Sequence, residues 1–189
     1  MNKYQFRFLF LLFFVSCNSE NTLYDVVVKN GIIYDGTGDK SYQGNIGIKG
    51  DKIAYLGNKN LNGKKIINAE GKAVSPGFIN MLSWGYNSLL NDGRSLSDLK
   101  QGVTLEIFGE GISPGPKGIP GDKEYISFSK SMDSLVNKGV STNIASFIGA
   151  ATLRINAIGY DNRLATNQEL DEMRISLEKA MKEGALGIG

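Results

Sequence analysis

The hydrophobic positions fall into two regimes that meet at residues 75–84 (SPGFINMLSW). Before that junction, residues 24–29 (YDVVVK), 31–34 (GIIY), 45–49 (NIGIK), 52–57 (KIAYLG) and 65–68 (KIIN) are short β-branched runs. Asn-Gly, Gly-Thr-Gly and Gly-Asp turns separate them, which predicts strands joined by tight hairpins in a small antiparallel sheet. In NIGIKGDKIAYLG, Ile46 and Ile48 share one face and Asn45, Gly47 and Lys49 the other, so one face is expected to be buried. Nothing in this sheet has the spacing of a catalytic site. After the Pro76-Gly77 turn, Phe78, Ile79, Met81 and Leu82 predict a short buried strand. Residues 95–101 follow as a short helix and 103–108 (VTLEIF) as a strand. Residues 109–122 (GEGISPGPKGIPGD) hold too many helix and strand breakers for regular structure. Ile126, Ser129, Met132, Leu135 and Val136, three and four apart, predict a helix over 124–138, and 143–148 is the next strand. Thr166 and Glu169 have capping-box spacing and open a helix whose face is Leu170, Met173, Leu177, Ala180 and Met181; Gly184 ends it, and 185–188 begins a fourth strand.

The 189 residues are 41% hydrophobic and 21% charged, the make-up of an ordinary globular protein. With 21 basic and 19 acidic side chains, the balance gives no electrostatic footprint for nucleic acid. There is no histidine, which excludes Ser-His-Asp and Cys-His catalysis and any histidine-based zinc site within these residues. Lys3 and Arg7, an apolar run over 8–15 and small Ser16 before Cys17 predict an export signal over 1–17. FVSC resembles a bacterial lipoprotein signal, with Cys17 lipidated as the first mature residue and 18–23 as a tether. The expected location is then the bacterial cell envelope, anchored to the membrane; a plain secretory peptide or a short anchor are the alternatives. One cysteine cannot form an internal disulfide, so stability rests on packing.

DVVVKNGIIYDGTG, NIGIKGDKIAYLG and IINAEGKAVSPGFIN are similar, in order and spacing, to the amino-terminal part of the amidohydrolase superfamily, and more narrowly to its D-aminoacylase (N-acyl-D-amino-acid deacylase) branch. The resemblance implies an α/β fold: a small amino-terminal β-sandwich built from both chain ends, here 24–75, followed over 76–189 by the first half of a (β/α)8 TIM-like barrel. The first barrel strand of the family carries Pro-Gly-Phe-Ile-Asp and then His-x-His. From Pro76 onward the chain has fewer than half of the roughly 250 residues such a barrel takes. GALGIG at the end resembles the motif that opens barrel strand four, so the expectation is an amino-terminal fragment. The alternative is a half-barrel that dimerises, at the cost of an unpaired parallel edge.

By the same resemblance the family's two metal-binding histidines fall on Leu82 and Trp84, and the preceding aspartate on Asn80. Neither leucine nor an indole NH supplies a lone pair to a metal. The branch's cysteine ligand, in Gly-Asn-Cys-Gly-Phe-Ser, meets GEGIS here, which leaves Glu110 as the candidate metal ligand, or else a solvated loop residue. Glu106 has the parity of Glu110 and is expected to point inward, in an ion pair with an arginine in preference to a role as catalytic acid or base. Arg154, in GAATLR, matches a Gly-His-x-x-Leu-Arg stretch with Ala150 at the histidine; it is a candidate for holding a substrate carboxylate, or else a structural pair. Met81, Leu82 and Trp84 suit an apolar pocket wall better than a cofactor site.

The resemblance implies a metal-dependent hydrolase of linear amides such as N-acyl-D-amino acids. A divalent metal, expected to be one zinc, would activate water and polarise the carbonyl in the full-length protein. The partners expected are a small-molecule amide substrate and, through the lipid anchor, the membrane. Two further readings compete: a non-catalytic envelope binding lipoprotein on the same fold, favoured by Leu82 and Trp84, and a structural lipoprotein. For the amino terminus, mass spectrometry of the protein expressed in a bacterium should find processed, lipid-modified Cys17, and Cys17→Ala should release the protein from membranes. An unmodified Cys17 in the wild type contradicts the anchor.

Overall fold

The computed structural model describes residues 23–189, in two compact units that divide between Pro76 and Gly77. The expected export signal over 1–17, with Cys17, and residues 18–22 lie outside the described residues. Leu23, expected as the end of the tether, is already the first residue of a strand.

The first unit is a single mixed sheet of β1 (Leu23–Ile33), β2 (Tyr42–Lys49), β3 (Lys52–Gly57), β4 (Asn62–Asn68) and β5 (Ala73–Val74). The spatial order is β3-β2-β1-β4, with β5 also on β1. β1-β2 and β2-β3 are antiparallel, whereas β4 and β5 both run parallel to β1, so the all-antiparallel expectation is corrected. Two Asn-Gly pairs read as turns are not turns. Asn62-Gly63 opens β4, and at Asn30-Gly31 one long strand continues through a register shift. Asn30 takes a left-handed φ of 61° there, and its amide donates to Asn45 Oδ1 at 2.9 Å. The Gly50 turn is a true hairpin, tied down by its N–H donating to Asp25 at 2.8 Å.

Tyr24, Val27 and Leu61 form this unit's buried core, with Tyr55 against it. Gly47 permits that core: a Cβ there would stand 2.6 Å from the Tyr24 ring. On the other face Val28, Ile33, Ile46, Ile48, Ile53 and Leu56 line an open apolar groove. The isoleucines thus share a face as the alternation predicts, but its burial is uneven: Ile33 is buried while Ile53 is 65% exposed.

The second unit alternates strands and helices. β6 (Phe78–Asn80), β7 (Val103–Phe108) and β8 (Asn143–Ser146) form a parallel sheet in that order. Between and after them come α1 (Tyr86–Asn91), α2 (Leu96–Lys100), α3 (Phe128–Lys138), α4 (Ala150–Ile158) and α5 (Asn167–Lys182). Past α5 the chain returns to the sheet, and Ile188 bridges Ile148 in parallel. Leu89, Phe108 and Leu135 fill the space between sheet and helices, and Phe128, Ile148, Leu153, Ala180 and Ala185 form a second cluster under α5. No helix among the described residues is long and apolar enough to cross a membrane.

Three local expectations change. β6 was expected to be buried, yet Phe78 and Ile79 are more than half exposed, because β6 pairs on one side only among the described residues. α3 starts at Phe128 and not at 124, because residues 117 and 126 pair as an antiparallel bridge and the Ser127 hydroxyl then caps the helix by accepting from the Lys130 N–H. α1 has Tyr86, Leu89 and Leu90 three and four apart, but in a run too short to announce a helix, and α4 has only a weak apolar period; both are fixed by packing.

α5 begins as expected. The Thr166 hydroxyl accepts from the Glu169 N–H at 3.3 Å, and the Glu169 carboxylate accepts from the Thr166 N–H at 2.7 Å. Arg163 adds a two-toothed bond to the same carboxylate, 2.6 and 2.9 Å, and with the Thr166 bonds holds its pKa down to about 2. A depressed carboxyl stabilises the fold above its ordinary value, and that contribution is withdrawn as pH falls through the folded one. Glu169→Gln should therefore flatten the loss of melting temperature between pH 4.5 and about 2. Equal pH slopes for wild type and variant contradict this role for the Arg163–Glu169 pair.

Candidate active site at the carboxyl ends of the parallel strands

β6, β7 and β8 all point their carboxyl ends the same way, and the loops that follow them gather polar and aromatic groups there. The turn after β6 is built by its own side chains. Asn80 Oδ1 accepts from the Leu82 N–H at 3.2 Å, and Asn80 Nδ2 donates to Asp98 at 3.2 Å. The Ser83 N–H donates to the Ile107 carbonyl at 2.8 Å, and its hydroxyl accepts from the Gly85 N–H at 3.1 Å.

That hydroxyl also donates to Glu106 Oε2 at 2.7 Å. Ser95 donates to Oε1 of the same carboxylate at 2.6 Å, and Thr142 donates to Oε1 at 3.0 Å. Glu106 is 2% exposed. A buried carboxylate is tolerated only when its lone pairs are satisfied, and three hydroxyls do that here. The expected arginine partner is therefore corrected: among the described residues no cation pairs with Glu106. Its direction is corrected too. Glu106 shares parity with Phe108, which packs on Leu89 of α1 and Leu135 of α3, so it lies on the helix side of the sheet. Ser95, at the start of α2, sits at a left-handed φ of 47°, and its bond to Glu106 holds that conformation.

The loop after β7 is pinned equally closely. Gly109 has a φ of +97°, and a Cβ there would meet the Phe147 carbonyl oxygen at 2.2 Å. The Gly111 carbonyl accepts from the first N–H groups of α4, Ala151 at 2.9 Å and Thr152 at 3.3 Å. The Ser113 N–H donates to the Thr152 hydroxyl at 2.8 Å. Two cavities result. One, about 280 Å³, is walled by Trp84, Phe108 and Ile112 with Ser83, Ser113 and Lys117 among its polar groups. The other, about 260 Å³, holds Glu110 among Met81, Leu82 and Phe147.

Glu110 is exposed and is the single carboxylate of its cavity; among the described residues no three His, Cys, Asp or Glu side chains come together as a metal site. Leu82 shares that cavity with Glu110, whereas Trp84 lines the other, so the two positions expected to hold metal ligands face different spaces. Arg154 reaches neither. Its guanidinium donates to the Asp161 and Arg163 carbonyls at 2.8 and 2.7 Å and so fastens the turn after α4. The hydroxyls of Ser83, Ser95 and Thr142 escaped sequence reasoning, since lone serines and threonines in loops carry no spacing signal; only the odd acidic residue inside VTLEIF hinted at a cluster.

No family model matches the chain. N-acyl-D-aspartate deacylase of Alcaligenes xylosoxydans is 29% identical over 178 residues, covering 87% of this chain and 36% of the relative. Among solved structures, a D-aminoacylase with a binuclear metal centre, described by one-metal activation and second-metal attenuation, superposes at a TM-score of 0.78. It is 30% identical over 87% of this chain and 38% of its own. N-acyl-D-glutamate deacylase of Bordetella bronchiseptica, complexed with zinc and a phosphonate mimic of the tetrahedral intermediate, matches at 0.78 with 25% identity, over 88% of this chain and 38% of its own. The chain's homologues are the amidohydrolase-type D-aminoacylases and N-acyl-D-glutamate deacylases. It spans a little over a third of their length. Within that kinship the D-aminoacylase resemblance of the sequence and the fold agree.

Removing the Glu106 carboxylate should be costly, since it strands buried donors at three loops. Glu106→Ala is expected to destabilise the full-length protein by about 3 kcal/mol, the scale of losing charged hydrogen bonds and leaving their partners unpaired. Glu106→Gln should cost less. A urea midpoint for Glu106→Ala within error of wild type contradicts the clasp.

Proposed function

We propose that the full-length protein is an amidohydrolase-type enzyme that hydrolyses the amide bond of N-acyl-D-amino acids. The observation that carries this reading is the superposition of nearly the whole described chain on D-aminoacylase. In the finer fold we propose, the mixed sheet is one layer of a β-sandwich, and its open apolar face supports that assignment. The parallel strands β6 to β8 are the opening strands of a (β/α)8 barrel, whose active sites lie at the carboxyl ends of the strands. A lipid on Cys17 would hold the enzyme in the cell envelope.

The relatives' structures carry zinc or a binuclear centre, which supports a divalent metal in this protein as well. The described residues do not make such a site. A catalytic zinc takes three protein ligands, and these strands offer Glu110 alone. We assign Glu110 as their single ligand, next to Leu82 and Phe147. What these residues do in the reaction is bind and orient: Ser83, fixed by Glu106 and the Ile107 carbonyl, sets Trp84 at the mouth of the larger cavity. Hydrolysis adds the hydroxyl of water to the carbonyl carbon and its proton to the departing amine.

Leu82 and Trp84 favour a second reading, a binding protein that keeps the pocket without catalysis. Incubating the full-length protein with N-acetyl-D- and N-acetyl-L-amino acids separates the two. Selective release of the free D-amino acid is expected, reduced about a hundredfold or more by Glu110→Gln, the scale of losing an essential catalytic group. Stoichiometric binding without turnover establishes the second reading, and a fully active Glu110→Gln removes Glu110 from the site.

A further inference from the structure

The first unit is electrically lopsided along β1. At the end where β1 starts, the β2-β3 hairpin sets Lys49 directly opposite Lys52. β4, parallel to β1, places Lys65 beside Val26, with Lys64 just before it. All four lysines are exposed. Among the described residues that end has two carboxylates, Asp25 and Asp51, and Asp25 is taken up: it accepts from the Gly50 N–H at 2.8 Å and from Lys64 at 2.7 Å. Lys49, Lys52 and Lys65 form no ion pair among the described residues. Beyond the other end of β1 and β4 the balance reverses, with Asp35, Asp39 and Glu70 against Lys40 and Lys72. The basic end is also where the chain enters the sheet. Leu23, the first residue of β1, is 52% exposed. Only five residues, 18–22, separate it from Cys17, a reach of at most about 20 Å.

Resting on the proposed lipid at Cys17, we propose that this end of the sheet docks on the anionic phospholipid headgroups of a membrane, with Lys49, Lys52 and Lys65 as the contacts. An anchor at Cys17 keeps Leu23 within that short reach of the bilayer surface. Lysines that come within a Debye length of an anionic surface, about 8 Å at physiological ionic strength, are drawn onto it. Lys49 and Lys52 face each other with no anion paired to either, and like charges so placed on antiparallel strands repel. Headgroup phosphates remove that repulsion. The same field turns the acidic far end of β1 away, so the contact orients the first unit as well as holding it.

The test is co-sedimentation of the full-length chain from residue 18 onward, which has neither leader nor lipid, with vesicles of phosphatidylcholine alone or mixed with phosphatidylglycerol. The chain should partition onto the anionic vesicles about tenfold or more better than onto the neutral ones, and high salt should erase the difference. Lys49→Gln, Lys52→Gln and Lys65→Gln together should abolish the preference. Lys40→Gln with Lys72→Gln, at the far end, should leave it intact. Asp51→Asn removes the acid that opposes the three lysines and should strengthen binding about fivefold, a gain that no loss of folding can imitate. Equal partition onto both vesicles, an unchanged triple variant, an equal loss in the far-end variant or no gain from Asp51→Asn overturns the proposal. So does saturable binding of inorganic phosphate to these lysines without vesicle binding. Lysine-dependent vesicle binding beside an unmodified Cys17 in the bacterially expressed protein upholds the docking surface and overturns only the anchor.

Discussion

The second unit is organised around one buried carboxylate. Glu106 sits in the middle of the central strand of the sheet, on the helix side, and receives hydroxyls from the turn after β6, the start of α2 and the approach to β8. Because the carboxyl group is out of water, each of those bonds is strongly favoured over an empty site. The three loops are therefore not free to move independently. Ser83 is held between Glu106 and the Gly85 amide, Ser95 is held in a left-handed conformation, and the wall of the larger cavity inherits that rigidity.

A second fastening complements it on the far side of β7. Gly109 lets the chain pass within contact of the Phe147 carbonyl, and the next residues lie over the amino end of α4, where the Gly111 carbonyl accepts from two free amides. The loop that carries Glu110 is thus irregular in its dihedrals but anchored at both ends, as a binding loop must be if its side chains are to meet a ligand in one geometry. Residues of this loop line both cavities: Ile112, Ser113 and Lys117 the mixed polar and aromatic one, and Glu110 the more apolar one.

Much of this was legible in the sequence. β7 and α5 stand where VTLEIF and the Thr166–Glu169 spacing place them, because alternation and capping are local signals. What failed was non-local. Asn30-Gly31 and Asn62-Gly63 have turn chemistry, but antiparallel pairing of β1 with β2 runs on through the first with a register shift, and parallel pairing with β1 makes the second a strand start. The Glu106 partners come from positions 83, 95 and 142, and no spacing rule links three loop hydroxyls to one carboxylate. Arg154 fits the motif expected of it, yet the turn after α4 takes up its guanidinium. Lys117 drew no notice, since a lysine in a glycine- and proline-rich loop reads as solvated until the walls around it are seen.

Where the resemblance places the metal ligands of the first parallel strand, this chain has Leu82 and Trp84, and these side chains face two different cavities. On our assignment Glu110 is the one metal ligand that these residues supply. The direct measurement is metal content of the full-length protein, purified after growth with zinc or manganese, by plasma mass spectrometry against protein concentration from amino-acid analysis. At most one tightly held equivalent per chain is expected, and two equivalents that survive dialysis contradict the account.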